Sequence, residues 1–96
     1  MKLDIQSLHF TTRPELDDFA REKVNKLGQF YKRIESAEIT LKLDKAKNSE
    51  NKICEIKLAV PGKDLFTSRK AKTFEEAING AIDALKHQLE KIKEAF

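Results

Sequence analysis

Two histidines, one cysteine, four serines and two adjacent pairs of carboxylates are the groups in this chain best suited to acid-base, nucleophilic or metal chemistry. His9 and His87 fall in no metal-ligand spacing with Cys54 or with each other. Ser7, Ser36, Ser49 and Ser68 lack the strand-turn-helix context of an activated nucleophile, and three glycines do not make a phosphate-cradling loop. Asp17-Asp18 and Glu75-Glu76 sit in the first turns of expected helices, where capping and the helix dipole account for acidic residues. Cys54 has Lys52 and Lys57 nearby, yet it lies in a strand beside Ile53 and Ile56, where a small buried hydrophobe is expected. The reading is of a non-enzyme with neither cofactor nor metal.

What the chain carries in quantity is charge. Asp, Glu, Lys and Arg make up 36% of its 96 residues, yet 19 basic against 16 acidic side chains leave a net charge of only +3. The distribution is more telling than the sum. Between positions 21 and 33 stand Arg21, Lys23, Lys26, Lys32 and Arg33 against Glu22 alone, and between 63 and 72 stand Lys63, Arg69, Lys70 and Lys72 against Asp64. A third group, Lys86, His87, Lys91 and Lys93, closes the segment TFEEAINGAIDALKHQLEKIKEAF, whose first half is acidic. Segregated cations of this kind suit a polyanion.

The elements that must position them follow from periodicity. Residues 2–10 read as a strand that shifts phase, with a bulge near Ser7. Thr12-Arg13-Pro14-Glu15 reads as a capping box that opens a helix, with Leu16, Phe19, Ala20, Val24 and Leu27 as its apolar stripe and Gly28 as the point where it loosens or stops. Ala37, Ile39, Leu41 and Leu43 alternate with polar residues as a strand. The segment 44–52 is a charged loop, Ile53–Val60 a third strand, Pro61-Gly62-Lys63-Asp64 a turn and Leu65–Ala71 the returning arm. Thr73, with Glu76 three positions on, caps a last helix whose stripe is Phe74, Ile78, Ala81, Ile82, Leu85, Leu89, Ile92 and Phe96.

The order β-α-β-β-β-α predicts a single α+β domain over 1–96: a four-stranded, mostly antiparallel sheet with both helices packed on one face and the first two strands parallel. In that arrangement Lys23 and Lys26 face Lys86, Lys91 and Lys93 across a groove between the helices, with Phe30 and Tyr31 beside it. Lys23 falls within the apolar stripe of its own helix, so its stem must run along the groove wall. No apolar run approaches the roughly 20 residues of a membrane helix, and one cysteine fits a reducing compartment, so a cytoplasmic, soluble protein without membrane contact is expected.

KLDIQSLHF, FAREKVNKLGQFY and above all TFEEAINGAIDALKHQLEKIK resemble the ribosome hibernation-promoting factor family, also called ribosome-associated inhibitors, in its short form. The likeness covers essentially the whole chain; its most distinctive part is Ala77-Ile78 to Leu85 and then Leu85-x-x-Gln88-Leu89-x-Lys91. The resemblance implies a domain similar to double-stranded-RNA-binding domains that occupies the messenger and transfer RNA channel of the small ribosomal subunit. It would bind ribosomal RNA through basic residues of both helices and silence translation in starvation or stationary phase. Matched by position, the family's basic sites fall on Lys23, Lys26 and Lys91, with Lys86 and Lys93 as neighbours of the same sign. His87 stands where relatives commonly carry arginine, and Glu75 where they often carry an aromatic. The chain stops at Phe96, before the second domain of long members, and a monomer off the ribosome with no small-molecule substrate is expected. A generic double-stranded-RNA-binding domain is the nearest rival, on Arg69-Lys70-Ala71-Lys72. A protein-interaction module using Thr40, Lys42, Lys57 and Arg69 on the exposed sheet face is the contrasting class.

Overall fold

A proline sets where the first helix begins. In this computed structural model, which describes residues 1–8, 10–45 and 48–94, Arg13 is extended at φ −89° and ψ 147°, as a residue before proline must be, and is therefore the N-cap. Helix α1 runs from Pro14 to Phe30. Thr12 stands one residue too early to cap it: its hydroxyl lies 3.5 Å from the Arg13 carbonyl, and among the described residues no side chain caps the helix. The expected capping box at Thr12 is thus corrected. His9, Ala46, Lys47 and Phe96, named above or within the 44–52 loop, lie outside the described residues.

The other elements are β1 (Lys2–Leu8), β2 (Ser36–Leu43), β3 (Lys52–Val60), β4 (Lys63–Ala71) and α2 (Phe74–Glu94), in the predicted order. They form one sheet in the order β1-β2-β3-β4, with β1 parallel to β2 and the other pairings antiparallel. The β1 register runs without interruption from Lys2 opposite Ser36 to Leu8 opposite Lys42, so the expected bulge at Ser7 does not occur. The phase shift in the sequence is instead the end of the strand, for Phe10 leaves the sheet and stacks on Phe74 at 4.6 Å.

At the β3-β4 hairpin, Val60 pairs with Lys63. Pro61, its φ fixed by the ring, and Gly62, at φ 86°, supply the successive negative and positive φ that a type II turn requires. Thr73 caps α2 as predicted, accepting a hydrogen bond from the Glu76 amide at 3.1 Å.

Period-2 and period-3.6 apolar residues meet in one core. Ala37, Ile39 and Leu41 of β2, Cys54, Ile56, Leu58 and Val60 of β3, and Leu65 of β4 point to the same side as Leu16, Ala20, Val24 and Leu27 of α1 and Ala77, Ile78, Ala81, Leu85 and Leu89 of α2. Both helices therefore lie on one face of the sheet. Their N-terminal ends are tied by the Phe10-Phe74 stack and by Arg13 and Glu75, 3.5 Å apart and exposed.

Gly28 does not end α1; the helix continues to Phe30 and closes where the Tyr31 amide donates to the Leu27 carbonyl at 2.9 Å. A glycine inside a helix forfeits about 0.5–1 kcal/mol relative to alanine. A Cβ at this position would meet only the flexible end of Met1, at 3.3 Å. Gly28→Ala is expected to raise the unfolding free energy measured in urea by an amount within that range, whereas Gly62→Ala, at positive φ, is expected to lower it.

Candidate nucleic-acid interface

The amphipathic stripes decide which side chains flank the line where the helices meet. On α1, Lys23 and Lys26 border the buried Leu27; on α2, Asn79, Ile82, Asp83 and Lys86 recur at the spacing of one helix flank. These seven residues and Phe30 line one open groove of about 200 Å³ between the helices. Beyond Phe30 the groove gives way to a second opening of about 290 Å³, lined by Phe30, Tyr31, Lys32, Arg33 and Lys93. Lys23 is half-buried, as its place in the stripe required.

Lys23, Lys86 and Lys93 are held by rings. Lys23 Nζ stands 5.3 Å from the centre of the Phe19 ring, one helical turn back, while Lys86 and Lys93 stand 5.1 Å and 4.3 Å from the Phe30 ring. Each such contact contributes about 0.5–1 kcal/mol at an exposed site. Lys93 Nζ also donates to the Phe30 carbonyl at 3.3 Å. Since α1 has no basic residue in its own last turn, this lysine of α2 serves the free carbonyl end of its neighbour. Acidity is present too: Glu22 lies 3.3 Å from Lys26 in an exposed i, i+4 pair, and Asp83 lines the groove.

The open face of the sheet is built differently. There Lys42 pairs with Glu55 at 3.2 Å and Lys57 with Asp64 at 3.6 Å, while Lys70 contacts Asp44. Gln6 donates to the Thr40 hydroxyl at 3.4 Å. Carboxylates thus meet Lys42, Lys57 and Lys70 on this face, where Phe66 on β4 is 58% exposed and Leu8 on β1 39% exposed. Arg69, expected on this face, is on the other: it pairs with the inward-facing Cys54, and its stem lies against Gly80 of α2.

Of the six candidate residues, Lys23, Lys26, Lys86 and Lys93 border the groove and its extension. Lys91 does not. It lies on the opposite flank of α2, where it lines an opening of about 320 Å³ with Lys63, Leu65, Gln88 and Ile92, and where Gln88 donates to the Phe66 carbonyl at 3.4 Å. The expectation that Lys91 faces α1 is therefore corrected; five residues on from Lys86, it is turned by about 140° around the helix. His87 is exposed on the crest of α2, its Nδ1 3.0 Å from the Asp83 carbonyl, a contact that needs the proton on that nitrogen. Tyr31 is buried rather than displayed. Asn79, Ile82 and Asp83 were missed as groove residues, although their spacing from Lys86 places them there.

The thiol is a core group. Burial, and secondarily the charge of Glu55, pushes Cys54 up from 9.0 to about 12, so the thiolate is disfavoured in the fold. Among the described residues no cluster of three His, Cys, Asp or Glu side chains is placed to hold a metal ion, and no helix is long and apolar enough to cross a membrane.

Residues 3–96 match the family model described as sigma 54 modulation protein / S30EA ribosomal protein. A protein of Klebsiella oxytoca named ribosome hibernation promoting factor is 34% identical over 94 residues, spanning 98% of this chain and 95% of the relative. Its namesake in Escherichia coli K12 is 30% identical over the same shares. In fold, the chain is similar to a ribosomal subunit interface protein of Coxiella burnetii, with a TM-score of 0.86 at 17% identity over 98% of this chain and 99% of that one. It is also similar to the N-terminal domain of Thermus thermophilus Protein Y, with a TM-score of 0.81 at 18% identity over 96% and 99%.

Cys54 is expected to resist a water-soluble disulfide reagent at pH 8 in the native protein and to react fully in denaturant. Stoichiometric labelling of the folded chain would show the thiol to be accessible after all.

Proposed function

The chain belongs to the sigma 54 modulation protein / S30EA ribosomal protein family, and from that premise we propose that it is a ribosome hibernation factor acting by occupancy rather than by chemistry. In this reading the protein enters the messenger and transfer RNA channel of the small subunit and blocks translation in starved or stationary cells. The observation that carries it is the groove: cations from two helices border one cleft, and rings rather than carboxylates hold Lys23, Lys86 and Lys93. Such a cleft suits the phosphates of ribosomal RNA.

Lysine contacts to phosphate carry little sequence information, so the location on the subunit is selected by shape and by the summed field. Lys26 enters binding already paired with Glu22 and must exchange one anion for another. Lys91, with Lys63, offers a separate contact on the far flank of α2. His87, at the crest between the flanks, is a third point of approach. The domain spans 1–96 as one binding unit, needs no cofactor, and works in the cytoplasm as a monomer when off the ribosome.

Lys23→Glu, Lys26→Glu and Lys86→Glu introduced together are expected to abolish co-sedimentation with small subunits while leaving far-UV circular dichroism unchanged. For the native protein, four groove-side phosphate contacts predict a log-log salt slope of about −3, at about −0.7 to −0.9 per phosphate neutralised. Retained co-sedimentation by the triple variant contradicts the site. Equal affinity for a plain RNA duplex would favour a general duplex-binding module instead.

A further inference from the structure

We infer that Phe30 is a positioning residue for the polyanion surface: its ring holds two ammonium groups of the neighbouring helix in place without cancelling their charge. The inference rests on the ribosomal reading above and adds to it a residue that carries no charge of its own.

Phe30 is the last residue of α1, yet among the described residues both of its cationic partners come from α2. Lys86 and Lys93 are separated by two helical turns, so they share one flank and can reach the same ring. Phe30 is also common to the groove and to the opening beyond it. The ring therefore stands between Lys23, Lys26 and Lys86 on one side and Lys32, Arg33 and Lys93 on the other. It is half-buried against the core, which restrains it, while its partners keep their outer sides toward solvent.

The chemistry distinguishes this arrangement from an ion pair. A carboxylate would hold a lysine equally well and would also supply the anion that an incoming phosphate must displace, as Glu55 does for Lys42 and Asp64 for Lys57 on the sheet face. An aromatic face attracts the ammonium through its quadrupole and leaves the full positive charge in the field. A flexible lysine ordinarily loses side-chain freedom when a partner fixes it. Restraint by Phe30 meets part of that cost in the free protein, and the second hold on Lys93, through the Phe30 carbonyl, adds to it.

The test compares the native protein, Phe30→Leu and Phe30→Tyr, alone and combined with Lys86→Gln/Lys93→Gln. Affinity for purified small subunits is measured at fixed salt, and lysine side-chain chemical shifts are recorded in the free proteins. Phe30→Leu is expected to weaken binding about tenfold, Phe30→Tyr to bind as the native protein does, and Phe30→Leu to cost nothing further once both lysines are neutral. Ring-current shifts at the ε-methylenes of Lys86 and Lys93 should be present in the native protein and absent in Phe30→Leu. Native-like binding by Phe30→Leu, or an equal loss with both lysines already neutralised, overturns the inference, since the ring would then act through packing or not at all. Absent ring-current shifts in the free native protein overturn it without reference to the ribosome. Failure of the native protein itself to bind small subunits would sink the ribosomal reading, while the shift measurement still decides whether the ring positions the lysines.

Discussion

Everything on the proposed binding surface depends on two amphipathic helices burying their stripes side by side on the same face of one sheet. A helix commits a stripe at least 100° wide to the core, so the residues bordering that stripe are forced toward whatever lies alongside. Here each helix lies alongside the other. Lys23 and Lys26 on α1 and Lys86 on α2 border one cleft because Leu27 and Leu85 are buried beneath it. The position of the charge thus follows from the hydrophobic core. A chain with the same composition but with its helices on opposite faces would have the lysines without the groove.

The second organising feature is how each cation is restrained. Lys42 and Lys57 on the open sheet face meet carboxylates, and surface pairs of that kind contribute little to stability, about 0–1 kcal/mol each, while cancelling those two charges. Lys23, Lys86 and Lys93 meet aromatic rings, which restrain position at a similar gain and leave the charge outward. A modest net charge of +3 is consequently divided between a face where charges cancel and a cleft where several do not. Asp83 and Glu22 temper the cleft, so the polyanion binding proposed for it would rest on local geometry more than on total charge.

Much of this was legible in the sequence. Alternation in 37–43 and 53–60 and the three-and-four spacing in 74–92 specify which faces are buried, and the element order leaves few topologies. Thr73 with Glu76 marked the start of α2 correctly, because no proline overrides the hydroxyl there. At α1 it misled: Pro14 forces Arg13 to be extended, and a restriction on φ and ψ outweighs a side-chain hydrogen bond. Gly28 misled in the opposite sense, since the helix needed no stop there and Met1 covers the gap. The placement of Lys91 required angular bookkeeping around α2, and that of Arg69 required the hairpin register, which only the Val60-Lys63 pairing fixes. Pairing of Lys86 and Lys93 with the Phe30 ring was not legible, since it depends on rotamers on two helices, whereas Phe19 and Lys23 stand four apart on one.

The helix face, and not the open face of the sheet, is the surface proposed to meet ribosomal RNA. The most direct measurement places a photo-crosslinking side chain at Asn79 within the groove and, in a second protein, at Ser68 on the open face, with each bound to small subunits before irradiation. RNA crosslinks are expected from position 79 and none from position 68. Crosslinks to RNA from position 68 alone would contradict the proposal.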